Sequence, residues 1–237
     1  MEKSNTKTSL LQRARLVWTL LRLSRNPENT ALVFDLSDLL FKMQAYQATA
    51  EKLQGVPGFR ELAISRKLMP EIDLHQLAKL PEGSLGQVYA KHMLDRGLSP
   101  DFYRSVEIVN DTTWTAMWFR QTHDLWHVVT GFDTDPASEI GLQAFTMALI
   151  LTPLSALIVG ISLLKVVVVD PSKLGLVIEK IVRGITLGHE AGPVFSYRWD
   201  ENWSKPLAEV RLELGLGGRD RHSVQNVNIQ RTPEPPG

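Results

Sequence analysis

Apolar residues recur along this chain at spacings of three and four and almost never in strict alternation, a pattern that predicts an all-α fold. Between Ser9 and Ser24, leucines and valines are interleaved with arginines, which predicts a basic amphipathic helix within residues 1–26. From Glu28 to Leu53, the positions Leu32, Leu36, Leu39, Leu40 and Met43 keep one helical register until Gly55, Pro57 and Gly58 break it. A further helix is predicted over Ser84 to Arg96, stopped by Gly97 where a helix C-terminus favours glycine. Pro100 to Tyr103 then leads into a helix over Thr112 to Thr130. Asp135-Pro136 and Asp170-Pro171 each join a capping carboxylate to a proline suited to the first helical position, so helices are expected over Pro136–Leu151 and Pro171–Leu187. The last, over Asn202 to Leu214, is closed by Gly215. Residues 1–216 thus read as one multi-helix domain. Residues 217–237, polar and ending in Pro-Glu-Pro-Pro-Gly, read as a disordered tail.

One stretch admits two organisations. Ile140 to Leu164 carries no charge, and as a single helix it would extend about 37 Å, longer than the roughly 30 Å hydrocarbon core of a bilayer. Gln143, Thr146, Thr152, Ser155 and Ser162 dilute its hydrophobicity, and Pro153 interrupts it. The favoured expectation is two core helices meeting at Thr152-Pro153, able to line a slot for a long hydrocarbon. A membrane span is the alternative.

Composition removes whole classes of chemistry. There is no cysteine, so disulfides, thiolate metal sites and cysteine nucleophiles are excluded, and any metal must be held by nitrogen and oxygen. The 26 basic and 26 acidic residues cancel and no nucleic-acid motif is present, so nucleic acid is not an expected partner. Arg13, Arg15, Arg22 and Arg25 among leucines superficially suggest a transit peptide, but Glu2 and the lack of serine-rich character argue for a helix of the mature protein. Such a helix is an ordinary surface element or a contact with lipid headgroups.

The chemistry concentrates in His123-Asp124-Leu125-Trp126-His127, followed by Glu139. On a helix His127 lies about 40° round from His123 and one turn along, with Asp124 about 100° away at the edge of that face. The chain breaks at Gly131 and restarts after Pro136, giving a helical hairpin in which Glu139 faces back toward the histidines. Two imidazoles and two carboxylates suit zinc, iron, manganese or magnesium. Each residue also has a plainer role: His123 and His127 as core histidines, Asp124 as partner of Arg120, Glu139 as a carboxylate at a positive helix end. Asp133 and Asp135 read as loop and cap residues, His92 and His189 as structural, and Trp199 with Trp203 as a packing pair.

The pattern His-Asp-x-x-His-x(11)-Glu resembles the coenzyme Q (ubiquinone) biosynthesis protein four family. Leu80-Pro81-Glu82-Gly83-Ser84-Leu85-Gly86 with Tyr89 is similar to that family's helix-opening block. Arg198-Trp199-Asp200-Glu201-Asn202-Trp203, Pro206-Leu207 and Arg211-x-Glu213-Leu214-Gly215 are similar to its C-terminal block. The resemblance spans roughly residues 80–216; Trp118, where the family often has arginine, and the apolar region from Ile140 to Val169 depart from it. It implies a mostly helical protein that binds a divalent metal through His123, Asp124, His127 and Glu139. It also implies a polyprenylated quinone precursor as ligand, at a membrane surface, with removal of the ring carboxylate and hydroxylation at that carbon. The tail would lie along Phe145, Ala148, Leu149 and Gly160, and Tyr197, Arg198 and Lys205 could meet an anionic headgroup. Expected partners are the prenyl lipid, a membrane, other quinone-biosynthesis proteins and a second copy of the chain, on the cytoplasmic side or, in a mitochondrion, the matrix side. The leading function is an enzyme. A non-catalytic lipid-binding scaffold is second, and a His-Asp phosphohydrolase using His92 and Asp170 is third.

Overall fold

The computed structural model describes residues 9–25, 29–43, 45–101 and 107–217; the expected tail beyond Gly217 and the end of the Pro100–Tyr103 segment lie outside them. Among the described residues the chain is helical, with no β-strand. The elements are α1 (Leu10–Arg25), α2 (Thr30–Lys42), α3 (Gln47–Gln54), α4 (Phe59–Ser65), α5 (Leu74–Leu77), α6 (Leu85–Asp95), α7 (Asp111–Thr130), α8 (Pro136–Ile150), α9 (Pro153–Val169), α10 (Leu174–Glu190) and α11 (Leu207–Glu213).

Local chemistry sets the ends of the helices that matter most. The Ser84 hydroxyl accepts from the Gln87 N–H at the start of α6. Asn110 and Thr113 form a reciprocal capping box at the start of α7, and Gly131 closes that helix at φ 69°. Asp135 accepts from the Ala137 and Ser138 N–H groups and Pro136 opens α8, as the sequence predicts.

Several expectations are corrected. Glu28–Leu53 is two helices, because its apolar residues serve different cores. Leu32, Leu36 and Leu40 pack with α1 and with Leu154, Leu157 and Ile161 of α9, whereas Leu53 joins the main core. Asn202–Leu214 contains only the short α11. Trp203 to Lys205 instead run alongside the start of α6, where Leu85 N–H bonds to Lys205 O and Gly86 N–H to Trp203 O, each at 2.8 Å. These carbonyls satisfy the exposed N–H groups of the first turn of α6. Trp203 therefore packs on Tyr89 and Trp199 on Tyr197, not on each other. Before α10 the chain makes a single 3-10 turn at Pro171–Lys173, and Asp170 turns its carboxylate to the Ser172 and Lys173 side chains.

Ile140–Leu164 splits as expected, at Leu151 (φ 53°) and Thr152. No helix among the described residues is long and apolar enough to cross a membrane, and this stretch is two helices, not one. Yet α9 is not a core helix: only Ser155 and Val159 are buried, and Leu164, Val167, Val168 and Val169 are exposed. The buried centre belongs to α7, whose Trp114, Trp118, Leu125 and Trp126 are surrounded by α4, α6, α8 and α11. Trp118 is accommodated there because its indole N–H donates to Phe195 O at 2.7 Å. α8 and α10 approach closely through glycine: a Cβ on Gly184 would stand 2.1 Å from Gly141 O.

Candidate metal centre

α7 places His123 and His127 one turn apart with ring centroids 5.0 Å apart and planes perpendicular. One donor atom from each of His123, Asp124 and His127 lies within 4.8 Å of the others. His123 and His127 are enclosed, and Asp124 sits at the rim of the site. On the far side of the hairpin, Glu139 in the first turn of α8 brings Oε1 to 3.2 Å from His127 Nε2. The four residues expected from sequence are therefore neighbours.

The hairpin turn orients the second histidine. His127 Nδ1 is 3.1 Å from Phe132 O, and since a carbonyl only accepts, Nδ1 carries the proton. That leaves Nε2 as the atom available to a cation, the arrangement typical of metal-bound imidazole. Phe132 is held by its own contacts. Its ring packs on Gly141, where a Cβ would come within 2.5 Å of it, and the Arg183 guanidinium lies 4.4 Å above the ring. Two arginines then take the last carbonyls of α7. Arg183 donates to Thr130 O at 2.6 Å, and Arg211 to Val129 O and Val128 O, each at 2.9 Å. Charge-assisted donors at a helix C-terminus satisfy orphan carbonyls and complement the helix dipole together.

Electrostatics divide the two histidines. Burial holds the His123 imidazole below its ordinary value, with the nearby His127 adding to the effect. Burial also pushes His127 down, but the Glu139 carboxylate, the Phe132 carbonyl and Asp124 outweigh it and the net shift is upward. Burial would raise Glu139; its hydrogen bond to His127 prevails and the carboxyl is held below its usual range. The two shifts are those of a hydrogen-bonded imidazole–carboxylate pair, each partner favouring the charged form of the other.

Two residues of α6 join the site, Tyr89 of the helix-opening block and His92, read from the sequence as structural or as part of a phosphohydrolase site. The Tyr89 phenol is pushed upward by burial and then by the charge of Asp124. The His92 ring stacks on His127 at 5.8 Å, and burial, Arg96 and His127 lower its pKa to about 4. Their spacing of three on a helix puts them on one side of α6, but the sequence does not say that this side meets α7. An open depression lined by Asp95, Arg96, Asp133, Thr134 and Asp135 adjoins this end of α6.

The other sequence candidates are dispersed. Phe145 is enclosed against Trp126, Leu149 is buried, Ala148 faces Gly188, and Gly160 lies on the exposed side of α9 with nothing packed over it. The Tyr197 hydroxyl donates to Glu213 Oε2 at 2.6 Å, Lys205 bonds the same carboxylate, and Arg198 pairs with Glu201. Asp170 is far along the chain at the α9–α10 junction, paired with Lys173.

A family profile described as coenzyme Q (ubiquinone) biosynthesis protein Coq4 matches residues 4–219. The mitochondrial ubiquinone biosynthesis protein coq4 of Talaromyces stipitatus is 28% identical over 179 residues, 72% of this chain and 60% of its own length. The mitochondrial COQ4 homolog of Rattus norvegicus is 29% identical over 153 residues, 64% of this chain and 57% of that protein. The match therefore covers less than two thirds of these relatives. A crystal structure from Nostoc punctiforme PCC 73102, provisionally ascribed to ubiquinone biosynthesis, superposes with a TM-score of 0.79 at 34% identity. That similarity takes in 90% of this chain and 99% of the other.

Proposed function

The chain belongs to the coenzyme Q (ubiquinone) biosynthesis protein Coq4 family, and we propose that it acts in that pathway by holding a divalent ion beside a polyprenylated aromatic acid. The observation that carries this reading is the convergence of His123, Asp124 and His127 donor atoms within 4.8 Å, with Glu139 against His127. Two nitrogens and two carboxylates fit zinc, iron, manganese or magnesium. When bound, such an ion supplies Lewis acidity or, as iron, oxygen activation. The residues' own contributions follow from their settings. Phe132 O fixes the His127 tautomer and Glu139 sits against its Nε2. Asp124, at the rim, is the ligand nearest an incoming molecule.

The reaction class is replacement of the ring carboxylate by hydroxyl: the ring–carboxyl bond breaks to release carbon dioxide, a carbon–oxygen bond forms with oxygen from water, and molecular oxygen takes up the two electrons as hydrogen peroxide. The ligand's tail leaves along the α8–α9 hairpin, where Gly160 offers an open apolar surface, whereas Phe145 and Leu149 are already packed. A bilayer surface is the medium that delivers such a lipid. α1 carries Arg13, Arg15, Arg22 and Arg25 and no acidic residue, and exposes Leu10, Leu11, Trp18 and Leu21. α1 packs against α9, which exposes Leu164, Val167, Val168 and Val169. Apolar side chains ringed by arginine suit an anionic headgroup layer. As the relatives are named mitochondrial, the matrix face of a mitochondrial membrane is the corresponding location, in company with other quinone-biosynthesis proteins.

The test is turnover. Iron-loaded protein supplied with a prenylated 4-hydroxybenzoate labelled with carbon-13 at the carboxyl group should release labelled carbon dioxide in air, and His127→Ala should not. Retained lipid without release in any metal form would favour the non-catalytic scaffold.

A further inference from the structure

α6 crosses α7 with Tyr89, His92 and Arg96 on one side, at helical spacings of three and four. Of these, His92 is the least explained. Its ring lies over His127 with planes 25° from parallel, so the two imidazoles run side by side and neither points into the other. Its Nε2 is sealed from solvent and has no hydrogen-bond partner among the described residues. The nearest cation is engaged elsewhere: Arg96 gives Nε and a terminal nitrogen to Asp133 and its other nitrogen to the His92 backbone carbonyl. A polar ring nitrogen enclosed without a partner is unfavourable, and a phenylalanine would fill the same space without that cost.

We propose that His92 Nε2–H donates a hydrogen bond to a carboxylate oxygen of the ligand that binds at the ion, making His92 a positioning residue for an aromatic acid. This rests on the metal reading above. A molecule held at an ion on His127 Nε2 would meet the stacked ring of His92, where the ion and Nε2–H would favour negative charge, Arg96 being paired with Asp133. Asp124, and Glu139 beside His127, would be the carboxylates to hold that ion and would be neutralised by it. The missing hydrogen-bond partner then arrives with the ligand, and a donor held in place beforehand strengthens binding without reorganisation. His92 comes from α6 and the metal ligands from α7 and α8. The proposal therefore makes the α6–α7 packing a determinant of ligand orientation.

Cobalt(II) substitution with benzoate as the probe ligand tests this without catalysis. Benzoate titrated into the cobalt protein is followed by the visible cobalt absorption, and cobalt affinity is measured separately by competition with a chelator. His92→Phe should weaken benzoate roughly 10-fold or more, the effect of losing one hydrogen bond to a charged group, while cobalt affinity stays within about 3-fold of wild type. His92→Gln, which restores an N–H donor, should recover most of the loss, and His92→Ala should not. Unchanged benzoate affinity in His92→Phe and His92→Ala would overturn the proposal. So would loss of cobalt from these variants, which would make His92 a direct ligand. Wild-type protein that takes up no cobalt would defeat the metal reading itself, a result distinct from either.

Discussion

Exchanging Arg211 for methionine keeps an unbranched apolar stem and removes both donors that hold the end of α7. The hydrogen bonds to Val128 O and Val129 O are 2.9 Å each, and both carbonyls belong to buried residues. A bond to a charged donor is worth about 1.5–3 kcal/mol, and a carbonyl left enclosed costs about 1–3 kcal/mol. Arg211 is itself partly exposed, so water can reach the gap and the lower end applies to each bond. The expected destabilisation is about 2–4 kcal/mol. For a chain of 237 residues that lowers the melting temperature by roughly 5–15 °C. The same change loosens the turn through Gly131 to Phe132, whose carbonyl sets the His127 tautomer, so metal affinity should fall roughly 10-fold. Urea titration of the metal-free protein gives the first quantity and chelator competition the second. Arg211→Lys, with one donor group in place of the fork, should recover about half of each. A methionine variant melting within about 1 °C of wild type with unaltered metal affinity would show that these bonds do not hold the site.

Gly184→Ala forces a Cβ toward the backbone at Gly141 O and Phe145 N, neither of which can yield, and should cost about 3 kcal/mol or more. Gly160→Ala, with open space around it, should instead stabilise by about 0.5–1 kcal/mol; thermal melts showing similar effects at both positions would contradict the packing described. The His127–Glu139 pair carries a pH signature. The raised imidazole contributes stability below its ordinary value of 6.5 that is lost as pH rises through its folded value. The depressed carboxyl contributes above its ordinary 4.5 and loses it as pH falls. Both operate between about pH 4.5 and 6.5. Metal-free Glu139→Gln should therefore fall furthest below wild type near pH 5.5 and approach it near pH 8.5, measured by urea unfolding. An equal gap at the two values would remove the pair from the account. Trp18→Ser with Val168→Asp should reduce sedimentation with anionic vesicles several-fold, and added salt should weaken wild-type binding; binding indifferent to both would discard the membrane surface.

Much of this was legible in local chemistry. Ser84, Gly97, Asp135-Pro136 and Gly131 mark helix ends through interactions within a few residues, so the spans they bound could be read directly. The His-Asp-x-x-His face follows from helical geometry alone, and the break at Pro153 from proline's missing N–H. What escaped depends on distant partners. The Glu28–Leu53 register continues in sequence, yet Leu36 and Leu53 face different cores, and periodicity does not say against what a face packs. Trp203 looked helical because nothing local reveals that its carbonyl caps α6. His92 and Tyr89 become part of the site only when α6 crosses α7. Apolarity alone made α9 resemble a core helix, although its last turns face solvent.

The most direct test of the central claim is the metal content of the purified protein after loading and exhaustive desalting. Elemental analysis should find about one divalent ion per folded chain in wild type, and a small fraction of that in His123→Ala and His127→Ala. A wild-type protein that emerges empty after loading with zinc, iron, manganese and magnesium in turn would contradict the claim. So would two histidine variants that retain the full amount.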